Sequence, residues 1–159
     1  LAKEEDIELL RRRMNRNWTL TKEGLQEVVH IDVPMPLSYA DRSFIRELSC
    51  LEPFGTGNPK PLFARKNVSL LSGKVLGKNK NVGKFRIADE EGRTYDMIYF
   101  GDLNQLNDFL TEKCGKVTAD SLYEGRLKQG EAVISMAYYP DINSYAGRET
   151  VQIVMQYYC

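Results

Sequence analysis

The chain has 159 residues, of which 42% are hydrophobic and 28% are charged, and its formal net charge at pH 7 is zero. A chain of this length holds one globular domain, or one domain with an appendage. It has no apolar run near the roughly 18 residues of a membrane-spanning helix, and its acidic start, LAKEED, does not fit a secretory signal.

The first fifty residues predict two helices with a short strand between them. Residues 3–17 place apolar side chains three and four positions apart, with acidic residues first and arginines last, which is typical of a helix. The segment EVVHIDVPMPL predicts a short strand that ends at Pro34 and Pro36. Ser38 has the features of a helix N-cap, and the helix that follows should end at Pro53.

The next stretch, LEPFGTGNPKPLF (residues 51–63), contains three prolines and two glycines. Such a sequence fits neither a regular helix nor an inner strand. One interpretation is a rigid strut that joins the second helix to the following region and buries apolar groups such as Phe54. The other is that Gly55, Gly57 and Asn58 present backbone N–H groups to a phosphate.

After residue 63 the hydrophobic pattern changes to the period of two that is typical of strands. Three strands are predicted in VSLLSGKVLG, KFRIAD and RTYDMIYF, and two more in EAVISMAYY and ETVQIVMQYY. Between the two groups, DLNQLNDFL has helical spacing with a C-cap at Gly115, and residues 116–130 fit a second short helix or an insertion. Three strands, a helix and two strands are the element order of an OB-fold.

These elements predict a mainly β protein. Its core should be a five-stranded OB-fold barrel with a helix between strands 3 and 4, preceded by an N-terminal α/β linker segment. The predicted division is a linker over residues 1–52, the strut over 53–63 and the OB-fold domain over 64–159. Because the chain starts at Leu1 and not at methionine, we expect it to be part of a longer protein.

The residues of common catalytic and metal sites are scarce. The three cysteines form no CxxC pair, so we expect free thiols in a reducing cytoplasm and no zinc. The one histidine, His30, has no candidate nucleophile near it. The acidic residues Asp89, Glu90 and Glu91 fall in a predicted hairpin turn, where a solvated turn is favoured over a divalent-metal site. No catalytic residue and no metal ligand is therefore predicted.

Basic residues are concentrated in one region. Eight lie between Lys60 and Arg86, with no acidic residue among them. They fit either a solvated surface or a phosphate-binding groove. OB barrels bind nucleic acid with strands 2 and 3 and with the loops after strands 1 and 4, using cations for phosphates and aromatic rings for bases. The candidate nucleic-acid-binding residues are Lys74, Lys78, Lys80, Lys84, Arg86, Tyr95, Tyr99, Tyr145 and Arg148.

Side-chain alternation sorts some of these candidates by face. If Phe85 fills the barrel, then Lys84 and Arg86 point outward. Tyr95 and Tyr99 share one face of the third strand, and that face can be either the core or the outer surface. The tyrosines can therefore stack on bases or pack in the barrel.

The sequence also contains three motifs: Ile31-Asp32 before a helix, the string PFGTGNPKPLF, and the set Pro140, Asn143, Gly147 and Gln152 near the end. Together they resemble the C-terminal part of RecJ-type single-strand-specific exonucleases, over roughly residues 28–159. The resemblance implies a parent enzyme with a DHH phosphoesterase core, which binds manganese or magnesium, degrades single strands from the 5′ end and serves DNA repair and recombination. That core needs two adjacent histidines, so this chain alone is not expected to be catalytic and needs no cofactor.

The expected function is therefore a module that binds single-stranded DNA and feeds it to the parent's own catalytic domains. The alternative is a protein-interaction barrel that docks onto a catalytic core or onto a single-strand-binding protein. The expected location is the cytoplasm, with no membrane partner.

Overall fold

A computed structural model of the chain describes residues 4–17, 28–78, 81–145 and 147–159. The chain divides into two compact units, Leu1–His30 and Ile31–Cys159. The first contains helix α1 (Glu4–Arg16), which has basic residues in its last turn as predicted. Among the described residues, no helix has the length and apolar character needed to cross a membrane.

The second unit begins with short elements that lead into the barrel. They are strand β1 (Val33–Pro34), a 3-10 turn (Leu37–Tyr39), helix α2 (Arg42–Leu48) and a second 3-10 turn (Ser49–Leu51). The predicted strand ends at Pro34 as its sequence indicates, but it is shorter than the pattern suggests because residues 28–32 are not part of the sheet.

The N-cap of α2 is Asp41 and not the predicted Ser38. The Asp41 carboxylate accepts a hydrogen bond from the backbone N–H of Phe44 at 2.8 Å. Ser38 is instead inside the 3-10 turn that follows Pro36. Ser and Asp are both common N-cap residues. Asp41 takes the N-cap position of α2 because Ser38 already lies inside the preceding 3-10 turn.

Five longer strands form a closed barrel. They are β2 (Phe63–Leu76), β3 (Val82–Ala88), β4 (Thr94–Tyr99), β5 (Val133–Tyr145) and β6 (Arg148–Tyr158). The strand order is β1-β2-β3-β4-β6-β5, and a further pairing of β5 with β2 closes the barrel. β4 and β6 run parallel, and β2 pairs with β3 and β5 in antiparallel fashion.

Two helices connect β4 to β5. They are α3 (Leu103–Cys114) and α4 (Lys116–Glu124), so residues 116–130 do supply a second short helix. The predicted OB-fold, with three strands, a helical connection and two strands, is confirmed.

The barrel interior is filled by the inward-facing side chains of each strand. Phe85 and Ile87 of β3 are fully buried, and so is Met97 of β4. The Phe85 ring lies against two glycines. A Cβ atom at Gly73 would lie 2.9 Å from this ring, and one at Gly83 would lie closer still. The two glycines therefore provide the space that the ring needs.

Opposite ends of the barrel are covered by different helices. Leu106 and Leu110 of α3 and Leu122 of α4 are buried in the core cluster near the Phe85 end. At the start of β2, the Phe63 ring lies 5.6 Å from the ring of Phe44 in α2. The short helices of the second unit thus belong to the same core as the barrel.

The Pro/Gly-rich segment is tied together by its own hydrogen bonds. The Asn58 side chain donates to the carbonyls of Leu51 and Pro53 at 2.7 and 3.1 Å. Gly55 and Asn58 exchange backbone hydrogen bonds of 2.8 and 3.1 Å. These two N–H groups are used inside the turn, which favours a strut over a phosphate nest.

The far end of this segment is joined to residues before α2. Leu62 donates its backbone N–H to the Asp32 carboxylate at 2.8 Å, and the Asp32 N–H donates to the Leu62 carbonyl at 2.9 Å. Two of the sequence motifs, Ile31-Asp32 and PFGTGNPKPLF, therefore meet in the folded chain.

Candidate nucleic-acid interface

The outward-pointing side of the barrel strands carries a row of register-paired residues, one from each of the five strands. Register pairs Lys74 with Lys84, Lys84 with Ile98, Ile98 with Val154, and Val154 with Tyr139. We call these five residues the outer row. Neighbouring strands lie about 4.8 Å apart, so the outer row extends for about 19 Å around the barrel.

The two ends of the outer row differ in character. At one end Lys74 and Lys84 are exposed direct neighbours. At the other end the Lys60 ammonium lies 4.4 Å from the centre of the Tyr139 ring. The outer row therefore has cations at both ends, while of the apolar side chains between them Ile98 is half-buried and Val154 is only 1% exposed.

Arg86 adds a third cation beside Lys84, and both are held by Asp96. Arg86 Nη1 lies 2.7 Å from Asp96 Oδ1, and Lys84 Nζ lies 3.4 Å from Asp96 Oδ2. Arg86 Nη2 also donates to the Thr94 hydroxyl at 2.7 Å. Lys84, Arg86 and Asp96 together carry one net positive charge.

The carboxylate of Asp96 stays ionised at neutral pH. Partial burial alone would raise its pKa, but the hydrogen bond from Arg86 and the charge of Lys84 together hold the pKa below the ordinary value. Its negative charge is thus a fixed part of the surface, which a phosphate must compete with.

The other predicted cations lie around this surface. Lys78 is exposed in the loop after β2, while Lys80 falls outside the described residues. Arg148 is exposed at the start of β6, where it pairs with Tyr145 of β5. Arg148 lies six residues from Val154, about 20 Å along the strand, so it is distant from Lys84.

The hairpin that carries Arg148 is anchored to α2. Arg42 donates to the backbone carbonyl of Glu149, and Arg46 Nη2 lies 3.5 Å from the Glu149 carboxylate. The alternation of β6 puts Arg148 on the side of the strand opposite to Glu149. The side chain of Glu149 therefore faces α2, while that of Arg148 points away from it and is exposed.

The structure places the two tyrosines of β4 on the inner side of the sheet. Tyr99 is 8% exposed, and its ring lies 5.7 Å from that of Tyr158. Tyr95 is half-buried and donates its hydroxyl to Asp89 at 2.9 Å. Burial and the hydrogen bond to Asp89 raise the pKa of Tyr95 to about 12. Packing in the barrel is therefore favoured for both over stacking on bases.

An exposed aromatic ring that we did not select from the sequence lies at the end of β4. Phe100 is 60% exposed and follows the last residue of that strand. Alternation from Asp96 through Ile98 puts Phe100 on the outer side. A charged residue is seldom buried, so Asp96 was the signal that could have identified this side from sequence.

The acidic turn between β3 and β4 is occupied by ion pairs. Asp89 is 3% exposed and accepts hydrogen bonds from Arg93 N and Arg93 Nε, both at 2.8 Å. Glu90 pairs with Arg65 at 2.8 Å, and Glu91 pairs with Arg93 at 3.1 Å. Within the described parts of the chain, no group of three His, Cys, Asp or Glu residues is placed to hold a metal ion.

We expect Asp89→Asn to lower the free energy of unfolding by about 1–3 kcal/mol at pH 7. Burial alone would raise the pKa of Asp89, but hydrogen bonds from Arg93 and Tyr95 hold it below the ordinary value. The ionised group therefore contributes stability above its ordinary pKa and loses it as the pH falls through the lowered value.

Urea denaturation between about pH 7 and pH 3 measures this effect. Asp108→Asn, which changes an exposed carboxylate on α3, is the control and should leave the curve unchanged. If the Asp89→Asn protein were as stable as wild type at pH 7, these hydrogen bonds would not support the hairpin.

Comparison with known proteins identifies the protein family to which the chain belongs. A protein-family model described as the RecJ OB domain matches residues 31–157. The single-stranded-DNA-specific exonuclease RecJ of Bacillus subtilis (strain 168) is 33% identical over 93 residues, which is 57% of this chain and 12% of that relative.

Two crystal structures of RecJ from Thermus thermophilus share the fold. One is in complex with Mg²⁺ and the other with Mn²⁺, and the TM-scores are 0.51 and 0.52 at 20% identity. Each match covers 82% of this chain and 16% of the crystallised one. The chain therefore spans a small part of the length of these relatives.

Proposed function

Because the chain belongs to the RecJ OB domain family, we propose that it binds single-stranded DNA on the outer surface of its barrel. The observation that carries this proposal is the adjacent placement of Lys74, Lys84 and Arg86 on β2 and β3. All three are exposed, and β3 is the second barrel strand, which together with the third supplies the binding surface of many OB-folds.

The chemistry of the outer row suits an unpaired strand. Cations at its ends can contact phosphates, and the half-buried side chains of Ile98 and Tyr139 can contact bases, whereas Val154 is buried. The row is about 19 Å long by strand spacing, so it can accommodate only a few extended nucleotides. This size falls near the lower end of the range for one OB-fold, about 4–16 nucleotides.

We also propose that the chain serves a larger exonuclease whose catalytic core lies elsewhere. The B. subtilis relative is named as a single-stranded-DNA-specific exonuclease, and this chain matches 12% of it. The T. thermophilus structures hold Mg²⁺ or Mn²⁺, which supports a metal of this kind in the parent's core. The module would hold the strand while that core cleaves it.

The linker, strut and barrel remain the proposed division of the chain, over residues 1–52, 53–63 and 64–159. In this division the strut holds the barrel against the preceding residues. Its support is the pair of hydrogen bonds between Asp32 and Leu62.

Fluorescence anisotropy with labelled oligo-dT tests the binding proposal. If about four phosphates are contacted, log K should fall with log salt at a slope of about −3, which is −0.7 for each phosphate. Duplex DNA of the same length is the competitor and should bind more weakly. No binding at about 50 mM salt, or no dependence on salt, would contradict the proposal.

We expect Asp96→Asn to raise the affinity for oligo-dT by about fivefold at about 100 mM salt. The change removes the carboxylate that pairs with Lys84 and Arg86, which frees one positive charge for a phosphate. The same anisotropy titration measures it. Asp120→Asn on α4 makes an equal change of charge and should have no effect. Unchanged or weaker binding by Asp96→Asn would place the phosphates elsewhere.

A further inference from the structure

Phe100 is the centre of a small exposed apolar patch next to the cations. Register pairs Leu76 with Val82, and Phe100 directly follows Tyr99, whose partner Gly83 is the residue after Val82. Leu76 is exposed and Val82 is half-buried. We call Leu76, Val82 and Phe100 the Phe100 patch.

The ring of Phe100 lies largely outside the core, since the residue is 60% exposed. Among the residues that the structure describes, the aromatic contacts found in the core involve Phe44, Phe63, Tyr99 and others, but not Phe100. An exposed ring of this size leaves apolar surface in water, and such surface commonly marks a binding site. The ring is thus free to contact a ligand.

The neighbours of the ring indicate the kind of ligand. Lys84 lies two residues from Val82 on β3, on the same outer side, and Lys74 is its direct partner on β2. A ligand that suits both features is flat, apolar on its faces and attached to an anion. An unpaired base on its phosphate backbone has this chemistry, and aromatic rings beside cations are its usual binding site.

We propose that Phe100 is the stacking platform for one unpaired base, whose phosphate is contacted by Lys84. The inference rests on the proposed function and assigns one residue to base contact within it. The tyrosines of β4 do not take this role, because Tyr99 is buried against Tyr158 and Tyr95 is bonded to Asp89. Since the bases of a duplex are already stacked, the platform also selects single strands.

The test compares two probes of equal length and charge. One is labelled oligo-dT, and the other is the same backbone with every base removed. Wild-type protein should bind oligo-dT more tightly, while Phe100→Ala should lose about 5- to 150-fold of that affinity, the range for one stacked base. The affinity for the abasic strand should change by less than about twofold, because no ring contact is involved.

Two further variants keep the test specific. Phe100→Trp retains an aromatic ring and should restore binding to oligo-dT. Tyr39→Ala removes another exposed ring, 64% exposed, from the region before α2 and should bind both probes as wild type does. A structural role for Phe100 would instead weaken both probes alike.

The possible failures are distinguishable. If wild type binds oligo-dT but Phe100→Ala binds it equally well, or weakens both probes equally, the stacking inference is wrong and the proposed function stands. Unchanged binding would leave the Phe100 patch as a surface for a protein partner, and equal weakening of both probes would give Phe100 a structural role. If wild type binds neither probe, the proposed function is wrong as well.

Discussion

Replacing Lys74, Lys84 and Arg86 together by alanine is expected to lower the affinity for oligo-dT about 100-fold at about 100 mM salt. Each lost phosphate contact removes about 0.7 from the slope of log K against log salt, so the slope should shrink by about 2. Asp96 would also lose both of its partners, and its uncompensated charge would repel the strand.

The matched control removes three cations from another part of the barrel. Lys116, Arg126 and Lys128 lie in or just after α4, and all three are exposed. Their replacement by alanine changes the net charge by the same amount, but should lower the affinity by no more than about threefold. Equal losses in the two triple variants would mean that total charge, and not the outer surface of β2 and β3, determines binding.

Phe85→Ala is expected to lower the free energy of unfolding by about 3–5 kcal/mol. Phe85 is 1% exposed, and the neighbouring Gly73 and Gly83 have no side chains that could move into the space of its ring. The rigid sheet can collapse only partly around the cavity, so both lost burial and the cavity itself contribute. Urea denaturation followed by circular dichroism measures the change.

Phe100→Ala makes the same chemical change fifteen residues later in the chain, at a site that is 60% exposed. It should cost less than about 1 kcal/mol, because most of that ring is already in water. The two variants thus separate the roles of two phenylalanines, one for stability and one for binding. A cost for Phe100→Ala as large as that for Phe85→Ala would contradict this assignment.

Much of the barrel is predictable because local patterns agree with the overall fold. In β3 the alternation of Lys84, Phe85, Arg86 and Ile87 predicts which side chains point inward, and burial confirms it. The element order of three strands, helices and two strands also identifies the OB-fold. A sheet with one buried face requires apolar and polar side chains to alternate along each strand, and this alternation can be recognised in the sequence.

The side of β4 that faces outward was harder to predict. Tyr95, Met97 and Tyr99 are good strand residues on either side of a sheet, so their own types leave two arrangements open. Asp96 decides between them, because an unpaired carboxylate would be costly inside the barrel. Its two cation partners come from β3, and that pairing depends on strand register, which sequence patterns do not contain.

Contacts between residues that are far apart along the chain also cannot be predicted from sequence patterns. The pairing of Arg46 with Glu149 joins residues 103 positions apart, and the bond between Asp32 and Leu62 joins residues 30 apart. Each requires the folded barrel to bring its partners together. The resemblance named Ile31-Asp32 and PFGTGNPKPLF as separate motifs, and the hydrogen bonds between Asp32 and Leu62 show that the two are in contact.

We propose that single-stranded DNA lies on the outer surface of β2, β3 and β4. The most direct test of this placement is a ¹H–¹⁵N NMR titration of the labelled protein with oligo-dT, which reports the position of every perturbed amide. We predict that the largest shifts fall in residues 82–86 and 96–100, with little change in α4 (Lys116–Glu124). Large shifts in α3 and α4, with none in β3 and β4, would contradict the account.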